Sequence, residues 1–393
     1  MKLKILALGV FTSALGCLPA AAQMSKQTSR NDTSYQPIIP VRKAQLLRDI
    51  DVIANMQYAL NNDFSNGKHQ ASAFANNQFR LEIKGKVHEK VSFRFRDRYT
   101  RAANPASLDN LSRSTDLAFI TVEASSRWNL SFGKMCADWG GYEFDDNPID
   151  IFRFNDIVEN ADNFLTGAQA SFKANKNHQF TFQVLNSRTQ FFNELYGNVP
   201  NVVPAAFPAA WVINWRGKSN NQKWETLWSY SIFTEAKNTQ MHYLALGTKF
   251  NPNKKWQLRY DFKLSDEDLD RKAIIQSINP SLQYAAFGAR YREHWLDVDY
   301  YITPQWTISC IGMTNATFWN KNPDPNRNNL LRNTYTFVPS IEYYPYKNLN
   351  LRFFAAGIFR SEVYTQYAKT TMGAVNTSSS RISLGFITPL LIL

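Results

Sequence analysis

Three arginines recur at every second residue in Val91–Arg101, at Arg94, Arg96 and Arg98, with Phe93, Phe95 and Tyr99 on the alternate phase. In an extended chain, alternate residues share a face, so this spacing stacks guanidiniums roughly every 6–7 Å along one side of a strand. Arginine stays charged at all physiological pH and offers forked donors that match carboxylate or phosphate oxygens. A column of such groups in a narrow, poorly polarisable passage attracts anions and hands them on from site to site. Arg290 and Arg292 repeat the spacing, and Arg80, Arg259, Arg352 and Arg360 add single steps. The alternative is that these cations pair with acids such as Glu82, Asp97 and Asp261 and only brace a wall.

The elements that carry these residues read as strands. Gln78–Gly85 sets Phe79, Leu81 and Ile83 against Gln78, Arg80, Glu82 and Lys84; Trp256–Leu264 sets Trp256, Leu258, Tyr260 and Phe262 against Gln257, Arg259, Asp261 and Lys263. One greasy face and one charged face, repeated from Ile50 to the end, fit lipid outside and a wet lumen inside.

The connections alternate in length. Tight polar turns fall at 88–90, 127–129, 175–178, 219–222, 252–255, 303–305 and 346–348. Long polar stretches fall at 61–72, 101–115, 138–166, 189–207, 265–283, 320–333 and 364–379, with a shorter one at 235–240. Seven turns and eight loops join sixteen strands, an even number that returns both termini to one side. The expected fold is therefore all-β: a 16-stranded antiparallel transmembrane β-barrel with short periplasmic turns and long extracellular loops. Trp128, Trp224, Trp256 and Trp306 stand at or just after tight turns and Tyr346 lies in another, as an interfacial aromatic girdle would. Tyr284–Ile302 is overlong and its phase slips near Glu293–Leu296, which predicts a bulge or a strand projecting beyond the membrane; Leu117–Ser125 lacks clean alternation.

Composition agrees. The 393 residues include 28 Phe, 18 Tyr and 10 Trp, too many aromatics for a disordered chain. Mean hydropathy is −0.39, and after the first two dozen residues no apolar run approaches the roughly 20 residues of a spanning helix. Residues 1–22 have the basic start (Lys2, Lys4), apolar middle and small-residue end (Ala20–Ala22) of a signal peptide. Residues 23–48 lack strand character and read as a periplasmic extension, and 49–393 as the barrel. The net charge of +12 falls to +10 when Lys2 and Lys4 leave with the signal. Cys136 and Cys310 then remain, far apart, and read as small apolar residues on strands rather than a disulfide or zinc pair.

The stretch 138–166 is the longest connection. Its residues Tyr142, Phe144, Phe152 and Arg153 are candidates for a constriction if the loop folds inward; the alternative is an external loop packed on its neighbours. Asp266–Asp270 has the first spacings of a calcium loop but lacks its glycine and closing glutamate, so it reads as a solvated loop. No motif for a cofactor, catalytic residue or metal site stands out, and no nucleic-acid partner is expected. A barrel protease or phospholipase would need a histidine beside a nucleophile at the outer rim; only His242 is placed for that, with no nucleophile motif. A soluble secreted β-protein is a further alternative.

The strand–turn rhythm, the segment FRLEIKGKVHEKVSFRFRDRY and the closing GFITPLLIL together resemble the phosphate-selective porin O and P family, over about Asp49–Leu393. The resemblance implies a homotrimeric anion channel in the outer-membrane lipid of a Gram-negative-type cell, passing small anionic solutes such as phosphate. By position the resemblance puts the stepwise cationic role on Arg94, Arg96 and Arg98, with Lys84 and Lys134 as weaker candidates. A general or sugar-specific diffusion porin with little ion selectivity is the alternative within the same fold.

Overall fold

The computed structural model describes residues 50–103 and 107–393. The stretches expected to be a signal peptide (1–22) and a periplasmic extension (23–48) lie outside the described residues. The described chain forms sixteen strands in one closed antiparallel barrel, β1 (Ile50–Ser65) to β16 (Thr377–Leu391), each bonded to its sequence neighbours. β1 and β16 close the cylinder in register from Ile53↔Leu391 to Ser65↔Ser379.

The two faces fall as the alternation requires. Phe95, Phe132, Tyr260, Phe337 and Phe353 are among the large apolar side chains exposed outside, while Arg96, Arg259, Asp261 and Lys263 are buried inside. At the tight-turn end, cross-strand ring pairs form a girdle: Trp128–Phe172 at 4.7 Å, Trp224–Phe250 at 4.2 Å, Trp256–Tyr300 at 4.6 Å and Trp306–Tyr343 at 4.5 Å between centroids. Rings there meet apolar chains on one side and wet headgroups on the other. Pro339 in β14 (Leu330–Tyr343) has no N–H to give. The pairing with β15 (Arg352–Tyr364) is interrupted just there, between Phe337↔Phe359 and Ser340↔Ala356.

In two places strands run on into a stretch expected to be a loop. Residues 61–72 are not a loop: β1 and β2 (Lys68–His88) run on to a two-residue turn, Asn66-Gly67, both with positive φ (47° and 75°). Asn-Gly suits such a turn because both positions tolerate the left-handed backbone, so a hairpin replaces the loop. β11 (Trp256–Leu269) likewise continues into the stretch expected to begin a loop at Ser265.

β12 (Phe287–Thr303) holds its register with β11 through Glu293–Leu296, so no bulge occurs there; its 17 residues exceed the roughly 9–11 that a spanning strand needs. The apparent slip has another cause. Tyr291, Glu293, Trp295 and Asp297 are the buried face and Arg290, Arg292, His294 and Leu296 the exposed one. Aromatics thus face inward and cations outward, the reverse of the usual sorting.

The interior is packed on one side. Residues 137–163, connecting β5 (Trp128–Cys136) to β6 (Phe164–Lys173), fold into the barrel with two short helices, α1 (Tyr142–Asp145) and α2 (Asp156–Glu159). Trp139 and Ile157 from this loop join Phe233, Tyr243, Tyr291 and Trp319 of the wall in one buried apolar cluster. Helices from two other loops, α3 (Ile274–Ile278) and α4 (Gln366–Met372), supply Ile275 and Ala368 to it. Burying those inward aromatics against loops offsets the cost of placing them in a lumen.

Candidate functional site

The loop 137–163 is held against the wall by ion pairs and hydrogen bonds whose partners are both largely out of water. Gly140-Gly141 lets the chain turn tightly: a Cβ at Gly141 would collide with the Asp261 carboxylate. That carboxylate instead accepts from the backbone N–H of Tyr142 and Glu143, each at 2.9 Å. Arg259 reaches Asp146 at 2.6 Å and also pairs with Asp297. Lys263 pairs with Glu143 and lies 3.4 Å from Glu293. Arg352 pairs with Asp150 and, at 3.1 Å, with Glu342. Arg332 and Arg360 share Asp156, each at 2.7 Å. Gln57 donates to Ile149 O at 2.8 Å and Asn155 to Thr314 O at 3.1 Å. Such pairs contribute little net stability, but deleting one partner strands a buried charge, so together they fix one position of the loop.

The space left is a cavity of about 830 Å³ between the loop and the wall from β2 to β8 (Pro204–Lys218). Its basic side carries Arg80, Lys84, Arg94, Arg96, Arg98 and Arg101. Facing register in β2 and β3 (Val91–Arg98) sets Arg98 beside Arg80, Arg96 beside Glu82 and Arg94 beside Lys84, three rungs down the wall. Glu82 accepts from Arg94 at 2.8 Å and lies 3.8 Å from Arg96. Asp116, fully buried, takes Arg80 at 2.9 Å, Arg98 at 2.6 Å and Arg96 at 3.5 Å. Four guanidiniums therefore share two carboxylates. Nη1 of Arg80 and Nε of Arg96 have no hydrogen-bond partner. At the loop end of the ladder, burial first and the neighbouring Arg98 charge second press the Arg101 guanidinium below its ordinary value. The opposite side holds Asp145, Asp146 and Glu159 of the loop, with Arg216 bridging Asp138 at 2.9 Å and Asp145 at 2.7 Å. A cationic wall facing carboxylates sets up a field across the passage.

The structure brings together five of the eleven cations expected on the anion path: Arg80, Lys84, Arg94, Arg96 and Arg98. The other six are corrected. Arg259, Arg352 and Arg360 point into the barrel but pair with Asp146, Asp150 and Asp156 of the loop, which they pin, and none of them lines the cavity. Arg290 and Arg292 are on the exposed outer face of β12, where Arg290 pairs with Asp266 at 2.6 Å. Lys134 is buried 3.1 Å from Asp109 and is no part of the cavity lining.

Of the constriction residues, Phe144 lines the cavity. Tyr142 is buried in a cluster with Trp295 and Ile311, and Phe152 packs on Phe354 at 4.9 Å, so both face the wall instead. Arg153 is about one-third exposed, 3.9 Å from Glu159, and is also outside the lining.

Asp116, Arg101, Arg216 and two phenyl rings, Phe119 and Phe164, belong to the lining or its support and were not anticipated. β4 (Thr115–Glu123) is the reason for two of them: Leu117 and Phe119 face the cavity while Ile120 faces outward, so both faces are apolar and no alternation shows.

His69 shares a hydrogen bond of 2.8 Å with the Ser72 hydroxyl on the exposed β1–β2 hairpin. The rings of His242 and His294 bond Tyr230 and Tyr260 hydroxyls at 2.8 and 2.7 Å. Cys136 and Cys310 are free and lie on strands β5 and β13 (Trp306–Trp319), as expected.

Comparisons with known proteins agree with this geometry. The model of a family described as phosphate-selective porin O and P matches residues 50–387. A search of the curated proteins finds no significant match. Among solved structures, the chain is similar to the outer membrane channel DcaP of Acinetobacter baumannii. The TM-score is 0.61 at 10% identity, covering 87% of this chain and 97% of that one. It is also similar to an anion-selective porin from Comamonas acidovorans (TM-score 0.54, 8% identity, 86% and 99% covered). OmpT of Vibrio cholerae is a third (TM-score 0.54, 8% identity, 86% and 97% covered). Identities this low establish the shared fold.

Proposed function

This chain belongs to the phosphate-selective porin O and P family, a porin of the outer membrane, and from that premise we propose that its eyelet passes small anions in preference to cations. The observation that carries the reading is the imbalance on the basic wall. Among the described residues, Arg80, Arg94, Arg96 and Arg98 pair with Glu82 and Asp116, a surplus of two positive charges over these six side chains. The bracing alternative is thereby half right: the acids hold the ladder in place and leave it cationic. The loop that narrows the lumen is pinned on the opposite side, so an ion has to pass the arginines.

A second reading, a diffusion porin with little ion selectivity, draws on Asp145, Asp146 and Glu159 across the cavity. The zero-current potential of the purified protein in a planar bilayer under a KCl gradient separates the two. An anion-selective sign supports the proposal, and a value near zero supports the second reading. We further propose a homotrimer. OmpT of Vibrio cholerae has been solved in a trimer form, and migration of the unheated protein at three times its unfolded mass is the expected result. The family and its folds point to a channel rather than an enzyme.

A further inference from the structure

Four phenyl rings, Phe119, Phe144, Phe154 and Phe164, line the same cavity as the arginines, each of them half-buried. They come from β4, from the inward loop and from the first residue of β6, so they surround the ladder rather than belong to one apolar strand face. Phe164 touches it: the Arg96 guanidinium lies 5.2 Å and that of Arg98 5.8 Å from its ring centroid. Phe119 and Phe144 rest on the interior cluster with one side, Phe144 with its centroid 5.1 Å from that of Trp139, and turn the rest of their rings to the cavity.

We infer that the preferred solute is an organic anion with an apolar body, an aromatic carboxylate above all, rather than inorganic phosphate. This rests on the anion-porin reading and narrows it. A strongly hydrated inorganic anion entering the eyelet would give up water on every side and recover hydrogen bonds only on the arginine side. The phenyl faces return nothing to it, because their quadrupole is negative toward an approaching anion. A carboxylate attached to a ring recovers both parts: a guanidinium fork takes the two oxygens, and the ring lies against phenyl surface with its hydrophobic and stacking gain.

The test is block of KCl conductance in a planar bilayer by benzoate, acetate and inorganic phosphate in turn at one pH. The expected order of half-blocking concentrations is benzoate lowest, at least fivefold below acetate and phosphate. Phe144→Ala and Phe164→Ala should each raise the benzoate value severalfold relative to the phosphate value in the same channel. Only conducting channels are scored, so misfolded protein does not enter, and the wild-type order stands without either variant. Phosphate blocking as tightly as benzoate, or benzoate no tighter than acetate, overturns the inference. If instead the wild-type zero-current potential has a cationic sign, the anion-porin reading fails, whatever benzoate does.

Discussion

Replacing Arg94, Arg96 and Arg98 together by glutamine tests whether the basic wall sets ion selectivity. At present four guanidiniums face Glu82 and Asp116; the triple change leaves Arg80 alone against both acids. The cluster swings by three charges, from a surplus of two positive to a surplus of one negative. An ion passing about 6 Å from each group, in a medium of effective dielectric about 40, feels roughly 1.4 kcal/mol per charge. Screening by about 0.1 M salt, with a Debye length near 10 Å, cuts the sum to on the order of 2 kcal/mol. That corresponds to roughly a thirtyfold change in how readily an anion enters the eyelet, since about 1.4 kcal/mol is tenfold. The zero-current potential should therefore change from anion-selective toward cation-selective, more so at 0.1 M than at 1 M KCl. The matching triple lysine variant keeps the charge and should retain the wild-type sign. An unchanged potential in the glutamine variant would refute the reasoning and leave the arginines as bracing.

Three further outcomes follow from the packing. Arg352→Met strands Asp150 and Glu342, a loss of about 3–5 kcal/mol for a buried pair; the loop should loosen, read as larger and noisier single-channel conductance. Gly385→Ala drives a Cβ into the backbone of Tyr58 and Ala59 at the β1–β16 closure. The temperature at which the folded form converts to the unfolded one on unheated-versus-heated electrophoresis should fall measurably. Asp109 ties the loop 107–114 to Lys134 and Thr166. Burial works against its charge, but hydrogen bonds from Ser107 and Thr166 and the Lys134 charge outweigh that and hold its carboxyl below the ordinary 3.8. A depressed carboxylate stabilises above its unfolded value and loses that contribution only as pH falls through the folded one. Protease cleavage in this loop should thus be unchanged from pH 7 to 5 and rise only below the ordinary carboxylate range.

The barrel was legible because its signals are local. Alternation at Arg94–Arg98 and the tryptophans at tight turns each reflect one strand meeting lipid and water. Asn66-Gly67 carried a hairpin signal just as local, overlooked because the residues around it are polar. The site was legible only where the lumen behaves as water. β2 and β3 face the open cavity, and there polarity sorted their residues correctly. β12 and β4 face, respectively, a packed loop and a phenyl-lined eyelet, so Tyr291, Trp295, Leu117 and Phe119 turn inward. Polarity then assigned Arg290 and Arg292 to the wrong side. Arg259 and Arg352 were placed on the correct face, but their partners Asp146 and Asp150 come from a distant loop that no single-strand pattern reveals.

The account stands on anions travelling along the arginine wall, between it and the inward loop. Crystals of the protein soaked in bromide and measured at the bromine absorption edge show that path directly. Anomalous peaks are expected beside Arg94, Arg96 and Arg98 inside the 830 Å³ cavity. A cavity free of peaks, with bromide found only at Arg290, Arg292 or other outer-surface cations, would contradict it.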